Sequence, residues 1–284
     1  GQFQAKVWVD ASLASGSEGK ITYQWYVNGN KFTGTGSDSY RITLTQSDLT
    51  TTEGKDWEYS AQVYCKLSYQ NYTVKTDTVT VTVNTCTHAK YTHEGKCQQC
   101  GEPCSKDVLF IRNGIPYTFE GDNPEVGFIL FSGGTAYFVR DTDATLKAGN
   151  GDTADKRDVT LDLQGHKVGA LDLQNCPYKS VTIKNGTIEG IDTSAPAVLI
   201  LDGVTTNQKV FSDEFTLTVK GSCVFERQVA FHGKTQLQGG TFQYGIDVEA
   251  GEQALALLAD GYAFADTDDS EILNVSEVSI QSRS

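Results

Sequence analysis

The chain has no methionine, five prolines, four histidines and three tryptophans in 284 residues. It also lacks any run of about 18 consecutive apolar residues, so no stretch reads as a membrane-spanning helix. Basic residues are in short supply: 23 Lys and Arg stand against 36 Asp and Glu, a formal net charge of −13. A surface of that sign repels phosphate backbones and anionic lipid, which argues against nucleic acid and membrane insertion. No nucleophile elbow, phosphate-binding loop or dinucleotide fingerprint occurs. There is no secretory leader either. Because the chain starts at Gly1 without an initiator, it reads as a piece of a larger protein, and that missing leader carries no weight.

What the chain has in quantity is alternation. In Val159-Thr-Leu-Asp-Leu-Gln-Gly165, apolar and polar side chains alternate until a glycine breaks the run. That is a half-buried strand followed by a sharp corner. The pattern returns at Val181-Thr-Ile-Lys-Asn-Gly186, Leu199-Ile-Leu-Asp-Gly203, Leu217-Thr-Val-Lys-Gly221 and Thr235-Gln-Leu-Gln-Gly239. Aligning Leu163, Ile183, Leu201, Val219 and Leu237 as inward residues gives spacings of 20, 18, 18 and 18, with Leu146 one step earlier. A strand that returns at a fixed coil length predicts a β-solenoid. Two further columns are predicted, Val168, Ile188, Val204, Val224 and Phe242, then Leu173, Ile191, Phe211, Phe231 and Val248. Bulky inward residues and uneven coils favour three strands per coil in a right-handed parallel β-helix over a left-handed hexapeptide helix.

Residues 3–84 alternate at shorter intervals with turns between, which predicts an antiparallel β-sandwich. Trp25 in Tyr23-Gln-Trp-Tyr-Val, Cys65 after Ala61-Gln-Val63 and the Val79–Val83 run resemble bacterial immunoglobulin-like domains. The strand expected to carry a partner cysteine has none, so Cys65 reads as a buried thiol.

Seven cysteines stand at 65, 86, 97, 100, 104, 176 and 223, four of them between Cys86 and Cys104. Cys97-Gln-Gln-Cys100-Gly is a knuckle that aims two thiolates at one cation, and Cys86 and His88 complete a tetrahedral Cys3His set for a structural zinc. Cys104 and His93 are spare ligands. The competing reading is a pair of short-loop disulfides, in which His88 has no role. The segment resembles a linker in modular surface proteins of Gram-positive bacteria, where it stands between immunoglobulin-like and solenoid units.

Val159-Thr-Leu-Asp-Leu-Gln-Gly-His-Lys-Val resembles a rung of pectate-lyase-like right-handed β-helices, a likeness covering residues 106 to 262. After it, Gly251–Gly261, rich in Ala and Leu, predicts a short capping helix, with Glu252 at its positive end. The Tyr262-Ala-Phe-Ala-Asp run resembles the ending of solenoid units in the same surface proteins. The expected architecture is therefore all-β: an immunoglobulin-like sandwich over 1–85, a Cys/His knuckle over 86–105, and a right-handed parallel β-helix over 106–284. The β-helix carries a helical cap at about 251–261 and a C-terminal strand near Asn274.

Lyases and glycosidases of the resembling family gather carboxylates on one flank, so Asp162, Asp172 and Asp202 are the acids to test. The aligned rungs place no two of them side by side, and Asp202 falls between Lys184 and Lys220. His166 and His232 lie near corners without a catalytic partner. Asp141-Thr-Asp143 and Asp266–Glu271 are weak calcium candidates, short of full ligand spacing. These features, with the resemblance, imply a non-enzymatic module of a secreted or wall-attached bacterial surface protein. It would act as an adhesin or stalk toward host surface or matrix protein or glycan, with flanking modules of the same chain. The alternatives are a carbohydrate-active enzyme working through those acids, and a plain spacer.

Overall fold

The structure is a computed structural model. It describes residues 2–32, 37–118, 133–147, 158–172, 179–192, 198–211, 215–247, 254–265 and 272–277. It is all-β and divides into two compact units, Gly1–His88 and Ala89–Ser284. The strand predicted at Gly127–Phe131 lies outside the described residues, as do Leu173, Cys176, Val248, Glu252 and Asp266–Glu271.

The first unit holds β1 (Gln2–Trp8), β2 (Thr22–Val27), β3 (Asn30–Lys31), β4 (Ser39–Thr45), β5 (Thr50–Thr52), β6 (Lys55–Tyr69), β7 (Tyr72–Lys75) and β8 (Val79–Asn84). β1 pairs antiparallel with β4 in one sheet. The second sheet runs β3-β2-β6-β5, with β7 and β8 also paired to the long β6. Period-2 alternation sends Val7, Trp25, Val27, Ile42, Leu44, Ala61, Val63 and Cys65 into one core. Trp25 and Cys65 are direct cross-strand partners, and Cys65 is a fully buried thiol.

The second unit opens with an antiparallel hairpin, β9 (Val108–Arg112) and β10 (Ile115–Thr118). Next come β11 (Gly134–Phe138), β12 (Thr142–Lys147), β13 (Asp158–Asp162), β14 (Lys167–Asp172), β15 (Ser180–Asp192), β16 (Val198–Thr206) and β17 (Val210–Phe211). The unit closes with β18 (Thr216–Phe225), β19 (Val229–Phe231), β20 (Thr235–Phe242), β21 (Ile246–Asp247), β22 (Tyr262–Ala265) and β23 (Leu273–Glu277). β11, β13, β15, β16, β18 and β20 stack in parallel, and their returning strands stack beside them. The result is a right-handed β-helix-like solenoid of about four turns. Its inward side chains form one continuous apolar cluster from Leu109 to Val275. Phe211, Phe225, Phe231 and Phe242 pack together inside the last coils.

The stacking corrects the sequence alignment in its earliest rungs. The inward column is Ala136, Leu161, Ile183, Leu201, Val219 and Leu237. Leu161 rather than Leu163 thus aligns with Ile183. The reason is a longer first corner. Asp162 and Lys167 are five apart, whereas their partners Lys184 and Thr187 are three apart. The two extra residues close a tight turn in which the His166 N–H reaches Leu163 O at 2.7 Å, with Gln164 and Gly165 at φ +50° and +86°. Leu163 stays buried because Gly186 leaves room above it. A Cβ on Gly186 would sit 2.4 Å from that of Leu163. Leu146 belongs to a different column of the stack and pairs with Leu171, which in turn pairs with Ile191. Phe211 pairs in turn with Phe231.

A second shift occurs in β18. Asp202 aligns with Lys220 but Thr205 with Val224, so β18 carries one extra residue, a bulge. The second inward column is therefore Val168, Ile188, Thr206, Phe225 and Phe242. Val224 is half-buried on the other face, while Val204 is buried beside Gly186. Cys223 occupies the bulge as a buried thiol. Its Sγ accepts the Val204 N–H at 3.4 Å and donates to Lys220 O at 3.2 Å.

Among the described residues of the predicted cap, 254–261, no α-helix forms; they hold a 3-10 turn, Ala254–Leu257. The backbone past that turn is claimed by the solenoid edge. Leu258 makes a parallel bridge to Leu237, and the Ala259 N–H bonds to Leu237 O at 3.1 Å. A helix would need those groups for itself. The parallel stack from β11 to β20 is closed instead by hairpins at both ends, β9–β10 beside β11 and β22–β23 beside β20, all antiparallel. Antiparallel closure hands a long parallel edge over to short strands. The strand expected at Asn274 is β23.

Corner glycines set how closely the coils stack. Gly221 and Gly239 are in register, and a Cβ on Gly239 would lie 2.4 Å from Gly221 O. Backbone cannot yield as a side-chain tip does. Gly239→Ala is therefore expected to destabilise the solenoid by about 2–3 kcal/mol in urea titration. Ala at the open corner Gly165, whose Cβ would meet nothing within 4 Å, is expected to cost less, since only its φ of +86° opposes the change. Equal losses at the two sites would refute the close-approach account.

Candidate metal centre

β8 ends at Asn84, whose Oδ1 accepts the Cys86 N–H at 2.8 Å and turns the chain. His88 takes a left-handed conformation, φ +50°, and its N–H points at Cys86 Sγ, 3.5 Å away. Downstream, antiparallel bridges join Tyr91 to Cys97 and Lys96 to Pro103. The Cys97 N–H bonds to Glu102 O, and the Gly101 N–H returns to Cys97 O at 2.9 Å. Gly101, at φ +78°, completes the Cys-x-x-Cys-Gly corner in a conformation that a side chain would strain.

These turns bring Cys86, His88, Cys97 and Cys100 together with their ligand atoms within 4.8 Å of one another. Sulfurs around a tetrahedral thiolate-bound cation lie about 3.8 Å apart, given metal–sulfur bonds near 2.3 Å. Three sulfurs and one imidazole at this separation fit a metal ion. Cys97 is buried and the other three are half-buried.

The spare ligands fall outside the group. His93 lies 2.7 Å from Glu94 and against the ring of Tyr137. The Thr92 hydroxyl, ahead of the backbone, holds the Glu94 carboxyl below its ordinary value. Cys104 Sγ packs under Gly95, where an added Cβ would come within 3.0 Å. Burial pushes that thiol up, away from the thiolate.

The three acids weighed for catalysis are not brought together. Asp162 lies in register with Lys184, Lys184 with Asp202, and Asp202 with Lys220. The corner insertion places Asp162 in this column; the alignment by sequence had set it beside Thr182. The result is an outward ladder alternating in charge. Asp162 Oδ2 meets Lys184 Nζ at 3.2 Å, and Asp202 Oδ2 meets Lys220 Nζ at 3.3 Å. Asp162 is also buried, and its Oδ1 accepts the Gln164 N–H and the Asn185 amide. Asp172 stands on β14, past the corner from Asp162 and in register with Asp192.

The Asp141-Thr-Asp143 candidate is a corner lock. Asp141 Oδ1 takes the Lys167 N–H at 3.0 Å and faces His166 Nδ1 at 2.9 Å. Those two groups, in that order, hold the Asp141 carboxyl below its ordinary value. Lys167 Nζ lies 3.5 Å from Asp143 and 2.6 Å from Glu189. His166 is thus anchored by a carboxylate rather than simply solvated.

One cavity was not foreseen from the sequence. A recess of about 940 Å³ is lined by Lys209, Glu226, Arg227, Gln228, Tyr244, Gly245, Ile246 and Leu273. Lys209, Glu226–Gln228 and Tyr244–Gly245 come from the corners of successive coils, Ile246 from β21 and Leu273 from the closing strand β23. The only sequence trace is their recurrence about one coil apart, which becomes interpretable once the β18 bulge is placed.

Neither family models, curated proteins nor solved structures give a match to this chain.

Proposed function

We propose that the chain is a non-enzymatic binding or stalk module of a secreted or wall-attached bacterial surface protein. In this reading the first unit is an immunoglobulin-like spacer, Cys86, His88, Cys97 and Cys100 hold a structural zinc, and the solenoid presents a binding surface to host protein or glycan. Four protein ligands leave no open position on the cation, so the zinc supplies stability and no chemistry.

The observation that carries this reading is the alternating ladder Asp162, Lys184, Asp202, Lys220. An acid–base pair on a glycoside needs two carboxylates facing one bond, roughly 5–10 Å apart, with one of them held protonated. Here each acid of the ladder faces an ammonium, and Asp162 is further saturated by amide donors. Such a column neutralises a scaffold's flank.

Incubating the whole chain with uronic-acid and neutral polysaccharides is expected to release no product, while an array of glycans and matrix proteins registers binding. Turnover abolished by Asp202→Ala would replace this proposal with the enzymatic one. A silent array would reduce the module to a spacer.

A further inference from the structure

We infer that the recess formed by Lys209, Arg227, Gln228 and Tyr244 is a binding site for an acidic saccharide, one bearing carboxylate or sulfate groups. The inference rests on the reading of the solenoid as a presenting module, and it names the surface and the class of ligand.

The site is built by the fold. Phe225 and Phe242 are in register, as are Val229 and Ile246, so Arg227 and Tyr244 fall at the same level of adjacent coils. Neighbouring coils are about 4.8 Å apart, and both side chains line the recess from adjacent corners. Lys209 comes from the coil before. The corner backbones are tied down. The Ala230 N–H bonds to Lys209 O, the Glu226 N–H to Thr206 O and the Gln243 N–H to Phe225 O. Ile246 and Leu273, both half-buried, supply an apolar wall.

Charge decides the class of ligand. In a chain of net charge −13, Lys167, Lys184 and Lys220 each face a carboxylate. Among the described residues, Lys209 and Arg227 make no ion pair and are exposed. Two unneutralised cations lining a recess attract an anion, and the arginine fork suits a planar carboxylate or a sulfate. Glu226, the one acid among the described residues of the recess, sets a limit on ligand charge and can accept from hydroxyl groups.

Shape then separates a sugar from other anions. Tyr244 is 57% exposed, far more than an anchoring core tyrosine, and offers its ring face to the C–H face of a pyranose. Gln228 adds an amide for hydroxyls, and the recess is far larger than a lone phosphate requires. An acidic peptide would bind best by adding a strand to an open edge, yet the Glu226, Val229, Ala230, Gln243 and Gly245 N–H groups of these corners are already bonded within the fold.

The intact chain is tested by calorimetry against a hyaluronan oligosaccharide, a chondroitin sulfate oligosaccharide, an uncharged cello-oligosaccharide and polyglutamate. At least one acidic saccharide is expected to bind, more weakly as salt rises, while the uncharged sugar and polyglutamate do not. Both Lys209→Gln/Arg227→Gln and Tyr244→Ala are expected to weaken that binding about tenfold or more, which is about 1.4 kcal/mol. All three side chains are exposed, so unchanged melting curves certify the fold. Binding that survives both variants, equal binding of polyglutamate, or no binding of either acidic saccharide overturns the assignment. Array binding elsewhere on the chain would still leave the module reading standing, whereas turnover would overturn that reading alone.

Discussion

Phe225→Ala is expected to lower the stability of the solenoid by about 3–5 kcal/mol, the usual range for truncating a buried phenylalanine. Phe225 is completely buried. Its ring stacks on Phe242 with centroids 4.7 Å apart, and meets Phe211 and Phe231 edge-on at 6.1 and 6.0 Å. Truncation removes apolar area, leaves a cavity bounded by three rings, and forfeits about 0.5–1.5 kcal/mol for each favourable aromatic pair. Because each coil contacts chiefly its neighbours, the loss concentrates in the coils from β16 to β20. Urea titration should show the midpoint falling, and hydrogen exchange should quicken first in β18 and β20. Phe225→Leu fills most of the volume and is expected to cost less than half as much. A loss below about 1 kcal/mol for the alanine variant would mean that the ring cluster contributes little.

The second large effect concerns the Cys/His group. The protein is expected to bind one equivalent of zinc, and Cys97→Ser to weaken that binding more than about 100-fold. Removing a thiolate loses a metal bond, and in this case also disturbs the residue bridged to Tyr91 and bonded to Glu102 O. Structural zinc in small domains contributes about 10 kcal/mol or more to local folding, so metal removal should expose the segment from Tyr91 to Pro103 to hydrogen exchange. Cys104→Ser is the control, since its sulfur lies outside the four-ligand group. It should retain full metal content. Elemental analysis and the spectrum of the cobalt-substituted protein test both statements. A protein lacking metal, with Cys86, Cys97, Cys100 and Cys104 oxidised in pairs, would establish the disulfide reading.

The gap between sequence and structure falls at the corners. Strands from Val181 onward were legible because apolar and polar side chains alternate with period two, and that rule is local. The spacing of 18 from Ile183 to Leu237 matches the stacked column. The same counting failed at Leu163, because the two-residue extension before Lys167 resembles a strand continuing inward. Only the void above Gly186 shows that Leu163 has turned a corner. It failed again at Val224, where the bulge around Cys223 exchanges the two faces of β18. The Ala- and Leu-rich run before Gly261 has the propensity of a helix. Contacts of its backbone with Leu237 override that preference.

Taken by itself, the sequence determined the all-β class, the returning coil, the buried thiol at Cys65 and the four clustered residues that could hold a metal ion. Each of these depends on residue type at short spacing, which a chain carries wherever it folds. The tertiary structure alone decided which coil positions lie side by side across the long first corner and the β18 bulge. It set Asp162 against Lys184, closed the solenoid with hairpins, and gathered Lys209, Arg227 and Tyr244 around one recess. Register in a solenoid is the accumulated length of its corners, and one inserted residue moves every outward side chain to a new neighbour.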